Sequence, residues 1–236
     1  MARSQEDAPA PRLPIVVVSG LPRAGTSLLM QMLAAGGFPV LADGARPPDA
    51  SNPRGYYEWA PARRLAREPE AIRAARGRAV KVISALLGAL PEDERYLVLF
   101  AERDPEEIEL SQRRMLARLA LARGEPAPAD DGVDAAALAA HVAQVRAWLD
   151  AEAQRQRFSV LEVRHESVMT APNAAAARIA SFLVPVCAAI GVSLDLTAMA
   201  AAVEPRLHRA RIRAPRRDAA APSTPPARRA PPPRRP

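Results

Sequence analysis

The chain reads as an α/β protein of three layers, a mostly parallel central sheet with helices on both faces. Three observations carry that expectation. Short β-branched and apolar runs, such as residues 15–18 and 96–100, read as strands buried on both faces. They alternate with longer stretches whose apolar residues recur at helical spacing, and such alternation closes into a parallel sheet with ligands beyond the carboxyl ends of its strands. With 236 residues, 49% of them hydrophobic, the chain can bury one sizeable core rather than two.

In chain order, a strand over 15–19 is ended by Gly20. The helix after it, 26–36, carries Leu28, Leu29, Met32 and Leu33 at helical spacing until Gly36 and Gly37 stop it. A strand is expected at 39–42, a helix over 60–75, and strands at 79–83 and 96–100. Asp104-Pro105 opens a helix over 104–123, with proline at its first turn and acids behind it. The segment 124–132, Gly-Glu-Pro-Ala-Pro-Ala-Asp-Asp-Gly, is a linker inside the domain, because the strand beyond it is needed for the sheet. A helix over 134–157, a strand over 158–163 and helices over 172–190 and 196–203 complete the pattern. One domain spans 13–210, between an N-terminus (1–12) and a Pro/Ala/Arg-rich tail (211–236) that are both expected to be disordered.

Composition narrows the class. The single cysteine, Cys187, excludes an internal disulfide and a cysteine metal cluster, and its apolar helical surroundings make it a core residue. The start lacks an apolar signal segment, and the charge-free run 179–194 is only 16 residues with Pro185 and Gly191 inside it. These features point to a cytoplasmic protein without a membrane span. The net charge of +7 belongs to the tail: residues 206–236 hold ten arginines and one aspartate, a net of +9, which leaves the body at −2. No specific nucleic-acid partner is expected, although the tail can contact acidic surfaces.

The loop Gly20-Leu-Pro-Arg-Ala-Gly25-Thr26-Ser27 carries the chemistry. It joins a buried strand to a helix N-terminus, where the N–H groups of Gly25, Thr26 and Ser27 and the helix dipole favour an anion. A P-loop NTPase would have lysine where Thr26 stands. Here the cation is Arg23, inside the loop, and a guanidinium can grip a terminal phosphate or sulfonate without a metal. The arrangement resembles the 5′-phosphosulfate loop of sulfotransferases that use 3′-phosphoadenosine 5′-phosphosulfate (PAPS), in the P-R-x-G-T-[ST] form of tyrosylprotein and many bacterial sulfotransferases.

The resemblance extends to a second stretch, Arg-Tyr-Leu-Val-Leu-Phe-Ala-Glu-Arg-Asp-Pro, and to the helix after it. In that family an arginine just after the strand and a serine eight residues on bind the 3′-phosphate, and Arg103 and Ser111 match this spacing. The bland alternative is an arginine paired with Glu102 or Glu106 on a solvated surface. The implied nucleotide-binding set is therefore Arg23, Ala24, Gly25, Thr26, Ser27, Arg103 and Ser111. The late segment Val163-Arg164-His165-Glu166-Ser167-Val168 is similar to the family's V-R-Y-E-D-L, with His165 for tyrosine and Ser167 for aspartate. Arg206 and Arg209 match a closing segment whose basic residues can fold back on the nucleotide.

Arg23, Glu58 and Lys81 are the catalytic candidates. Glu58 lies in Tyr-Tyr-Glu-Trp, resembling an acceptor-side loop with a catalytic glutamate, and burial among aromatic rings would make it a better base. His141, His165 and His208 are alternatives. Lys81 is the only lysine in the chain, and a lysine in a comparable segment of the family meets the sulfonate or the leaving oxygen. The resemblance implies sulfuryl transfer from PAPS to a hydroxyl or amine of a small-molecule, glycan or peptide acceptor, with no metal. A P-loop nucleotide kinase or other NTPase, or a catalytically silent nucleotide-binding module, stays open.

Overall fold

Five parallel strands form one sheet in the computed structural model, which describes residues 12–126 and 134–207. They are β1 (Ile15–Gly20), β2 (Val40–Leu41), β3 (Ala79–Lys81), β4 (Tyr96–Glu102) and β5 (Phe158–Arg164), in the order β2-β3-β1-β4-β5. The central strand β1 pairs with β4 along its whole length, from Ile15 beside Tyr96 to Gly20 beside Ala101. A side chain on Gly20 would meet the Ala101 carbonyl at 2.6 Å, so only glycine lets the two backbones end this close together.

Alternation along β1 divides the core into two layers. Val16 and Val18 face the helices α1 (Thr26–Ala35), α5 (Pro172–Ile190) and α6 (Leu196–Ala201), where they meet Met30, Leu33, Ile179, Leu183 and Met199. Ile15 and Val17 point the other way, toward Leu65, Ile72, Phe100 and, from α3 (Ala135–Gln154), Val145 and Leu149. With both faces covered, the all-apolar strand run is what the architecture requires. The expected three-layer α/β fold is the observed one. Cys187 is buried on α5 as expected.

Local differences have local causes. The helix expected over 60–75 is two 3₁₀ segments, Ala60–Arg64 and Pro69–Ala75, because Pro69 drives Glu68 out of the helical region, to φ −130° and ψ 62°. The strand at 79–83 ends at Lys81 and passes into a 3₁₀ segment, Ser84–Ala89, that was not anticipated. A short helix α4 (His165–Thr170) also follows β5 unanticipated, stopped at Ala171 by Pro172. Helix α2 (Pro105–Ala122) begins as expected, with the Asp104 carboxylate accepting from the N–H groups of Glu106 and Glu107.

Helix α5 departs from the charge-free count: its 19 residues, mean hydropathy 1.6, are long and apolar enough to cross a membrane by length and composition. Its Ala176, Ile179, Leu183, Val186 and Cys187 are nevertheless buried in the core. The expectations for residues 1–11, for most of the linker and for the tail lie outside the described residues, as do Arg209 and His208.

Candidate functional site

The carboxyl ends of β3, β1 and β4 converge where successive connections leave the sheet in opposite directions, the usual position of a ligand crevice in such folds. A cavity of about 350 Å³ opens there. Arg23, Gly25, Thr26, Ser27, Glu58, Lys81, Arg103 and Ser111 all line it, although they come from five separate segments. Ala24 is buried behind the loop and faces a larger adjoining cavity, about 1040 Å³, which shares Leu21, Arg103, His165 and Met169 with the first.

The loop after β1 is held in an uncommon shape. Arg23 has φ 75°, a left-handed conformation that a bulky residue adopts only where its surroundings impose it. Its Nε donates to Ser111 Oγ at 3.0 Å and its Nη2 to the carbonyl of Ser51 at 3.0 Å. Burial pulls the guanidinium below its ordinary pKa, with Arg103 nearby acting in the same direction. Helix α1 then starts at Thr26 with no side-chain cap, so its first N–H groups face the cavity. Gly25, at φ 111°, packs against His165, whose Cδ2 would lie 2.9 Å from any added Cβ. Gly25→Ala should therefore shift the loop, at a cost of about 1–3 kcal/mol of backbone strain, and, if the loop holds a nucleotide as expected, lower its affinity in calorimetry.

Arg103 is not on a solvated surface, and neither Glu102 nor Glu106 is its partner. Its Nε donates to Glu107 Oε2 at 2.9 Å and its Nη1 to the Arg23 carbonyl at 3.2 Å, with both side chains of the ion pair almost wholly buried. The arginine is thus tied to the loop that carries Arg23, and the two expected phosphate positions adjoin. On the expectation that Arg103 and Ser111 hold a 3′-phosphate, Arg103→Ala should weaken binding of adenosine 3′,5′-bisphosphate by about 1.5–3 kcal/mol, and Ser111→Ala by less, with adenosine 5′-phosphate little affected. Since Arg103→Ala also removes an ion-pair partner of the buried Glu107, the double variant Arg103→Ala/Glu107→Gln separates ligand loss from destabilisation. Equal losses for both nucleotides would remove the assignment.

Lys81 reaches the same space from the end of β3. Its Nζ donates to the Tyr56 carbonyl, lies 3.5 Å from Ser27 Oγ and stands 3.6 Å from Glu58 Oε1. Burial, with Arg46, Arg63 and Arg23 close by, brings its pKa down to about 8. Perturbation of this size in a cleft is typical of functional groups.

Glu58 corrects one expectation. It is surrounded by cations rather than aromatic rings: Arg46 Nη1 is 3.3 Å from Oε1, Arg63 contacts Oε2, and Lys81 completes the set. Its aromatic neighbours in sequence point elsewhere, Tyr57 toward one core layer and Trp59 toward the other. Tyr56 is buried, its hydroxyl bonded to both Asp49 oxygens at 2.8 and 2.7 Å and its ring covered by the Arg46 guanidinium at 3.4 Å. Sequence reasoning passed over Arg46, because residues 42–59 have no periodicity to place it.

The remaining candidates divide clearly. His165 lines the cavity, whereas His141 lies on α3 with its Nε2 2.9 Å from Ser84 Oγ, outside it. Arg206 is exposed and paired with Glu204 at 2.6 Å, and it is not among the residues lining the cavity. No protein-family model matches the chain, and no curated protein matches it.

Proposed function

We infer that the chain is a PAPS-dependent sulfotransferase, moving a sulfuryl group to a hydroxyl or amine acceptor. The observation that carries this reading is the convergence of Arg23, Arg103, Ser111, Lys81 and the uncapped N-terminus of α1 on one cavity. A ligand with phosphate at two ends and a sulfonate between cations fits that set of donors. In the reaction, the acceptor oxygen or nitrogen bonds to sulfur as the bond from sulfur to the bridging oxygen breaks. The nucleotide bisphosphate leaves, and the acceptor's proton passes to a base, for which Glu58 is the candidate. Arg23 and Lys81 neutralise charge on the sulfonate and on the leaving oxygen.

One observation favours a second reading. Lys81 brings an ammonium to within 3.5 Å of Ser27 Oγ, so a lysine from β3 could serve a nucleotide triphosphate in place of the missing loop lysine. Thermal shift separates the two. A ligand at one hundred times its dissociation constant stabilises by about 2.7 kcal/mol. Adenosine 3′,5′-bisphosphate without magnesium should raise the unfolding temperature if the sulfotransferase reading holds. Stabilisation by Mg-ATP alone would replace it with the kinase or NTPase reading. Binding of the bisphosphate without turnover of PAPS across alcohols, amines, glycans and tyrosine peptides would leave a silent nucleotide-binding module.

A further inference from the structure

The cavity extends past the groups assigned to the donor, and its far wall is also basic. Ser111, Arg114, Met115 and Arg118 all line it from α2. Their spacing of three, four and seven residues puts them on one stripe of the helix. Arg118 is seven residues beyond Ser111, about 10 Å farther along the helix axis. The opposite wall is the turn at 49–53, whose Ser51 offers its carbonyl to Arg23 and its Oγ to Arg118 Nη1 at 3.4 Å. Ser51 therefore stands at the junction of two regions. On one side are Arg23, Ser111 and Arg103; on the other are Arg114, Met115 and Arg118.

Charge balance alone does not assign the second region, because PAPS is itself a polyanion. Position does. The guanidinium at Arg23 and the N-terminus of α1 hold the donor end, and Glu58 and Lys81 lie beside Ser27 at that end. A donor seated there leaves Arg114 and Arg118 one and two turns away along α2, both exposed toward the mouth of the cavity. Apolar surface accompanies them: Met115 lies between the two arginines in sequence, and Ile83, 44% exposed, is also in the lining. A body with an apolar middle and an anionic end fits them, the guanidiniums meeting a carboxylate or sulfate in a fork.

We propose that Arg114 and Arg118 select a small-molecule acceptor that is itself an acid, an alcohol or phenol carrying a carboxylate or sulfate on the side of the molecule away from the reacting hydroxyl. The assignment of the far wall to the acceptor rests on the sulfuryl-transfer reading; the presence of an anion site at these two arginines does not.

The test uses matched pairs that differ only in charge: 3-(4-hydroxyphenyl)propionate against its amide, and glucuronate against its methyl ester. Binding to the full chain is measured by calorimetry with and without adenosine 3′,5′-bisphosphate, in the native protein and in Arg114→Gln/Arg118→Gln. The acid of at least one pair should bind about tenfold or more tightly than its neutral partner, the strength of a charged hydrogen bond. That preference should vanish in the double variant while affinity for the bisphosphate changes less than twofold. Arg118→Glu should reverse the preference. Equal binding of acid and neutral partner in both pairs, or a preference that survives in the double variant, overturns the proposal. If the bisphosphate fails to bind while the acid preference still follows the two arginines, the donor reading fails and the anion site stands. Where PAPS turns over, kcat/KM for the acids should drop in the double variant, with kcat/KM for the neutral partners unchanged.

Discussion

Glu58→Gln is expected to lower turnover by about 10²–10⁴-fold, the contribution of a positioned general base. Glutamine keeps the shape and can accept hydrogen bonds, but it cannot take the acceptor's proton. The surroundings make the result diagnostic. Arg46, Arg63 and Lys81 hold the carboxylate in place, so its loss removes negative charge from a cavity built for anions. Nucleotide affinity should therefore hold or tighten while kcat falls, a split that general misfolding would not produce. Calorimetry with the nucleotide and steady-state rates with PAPS supply the two measurements. A variant with near-normal kcat would move the proton to His165, the histidine that lines the cavity, or to another carboxylate.

Replacing Lys81 should reduce the rate by about 10²–10³-fold, the usual loss when one charged donor to a developing oxyanion is removed. Lys81→Arg should be nearly as slow as Lys81→Ala, because a planar guanidinium does not fit between Ser27, Tyr56 and Glu58 as a compact ammonium does. Full activity in the arginine variant would show that charge alone, or nothing, is needed there.

Stability should move the opposite way. The amine titrates at about 8 in the fold and at about 10.4 in an unfolded chain, so folding disfavours its charged form. Below the folded value both states are protonated and the whole cost is present. As pH rises between the two values the folded protein releases its proton first and the cost is relieved; above both it is absent. Lys81→Met should then be more stable near neutral pH, by up to about 3 kcal/mol, with the gain fading in alkaline solution. The substitution orphans no partner, since the Tyr56 carbonyl keeps the Ser27 hydroxyl at 3.2 Å and Glu58 keeps two arginines. Urea midpoints across the alkaline range would test it, and a Lys81→Met variant less stable than the native chain near neutral pH would contradict it.

What could be read from the chain alone is local or periodic. The β-branched run ended by Gly20, the helix opened by Asp104-Pro105 and the alternation around them are near-neighbour properties, and they determine the three-layer fold and the loop that faces its crevice. Arg23 was visible as the cation inside that loop, whereas Arg103 and Ser111 were singled out only through the spacing of the family the sequence resembles; the structure brings all three to one cavity. The 3₁₀ segments at 60–64 and 69–75 and the extra turn of α4 escaped because proline breaks a helical pattern without saying what replaces it. Only the tertiary structure decided the partners. Glu107 for Arg103, Arg46 and Arg63 for Glu58, and the Tyr56 carbonyl for Lys81 depend on how the aperiodic segment 42–59 and the first turns of α2 lie against the ends of three strands. Side chains in such a crevice are brought together by folding and not by spacing, so the charge environment that sets their chemistry has no counterpart in the linear order.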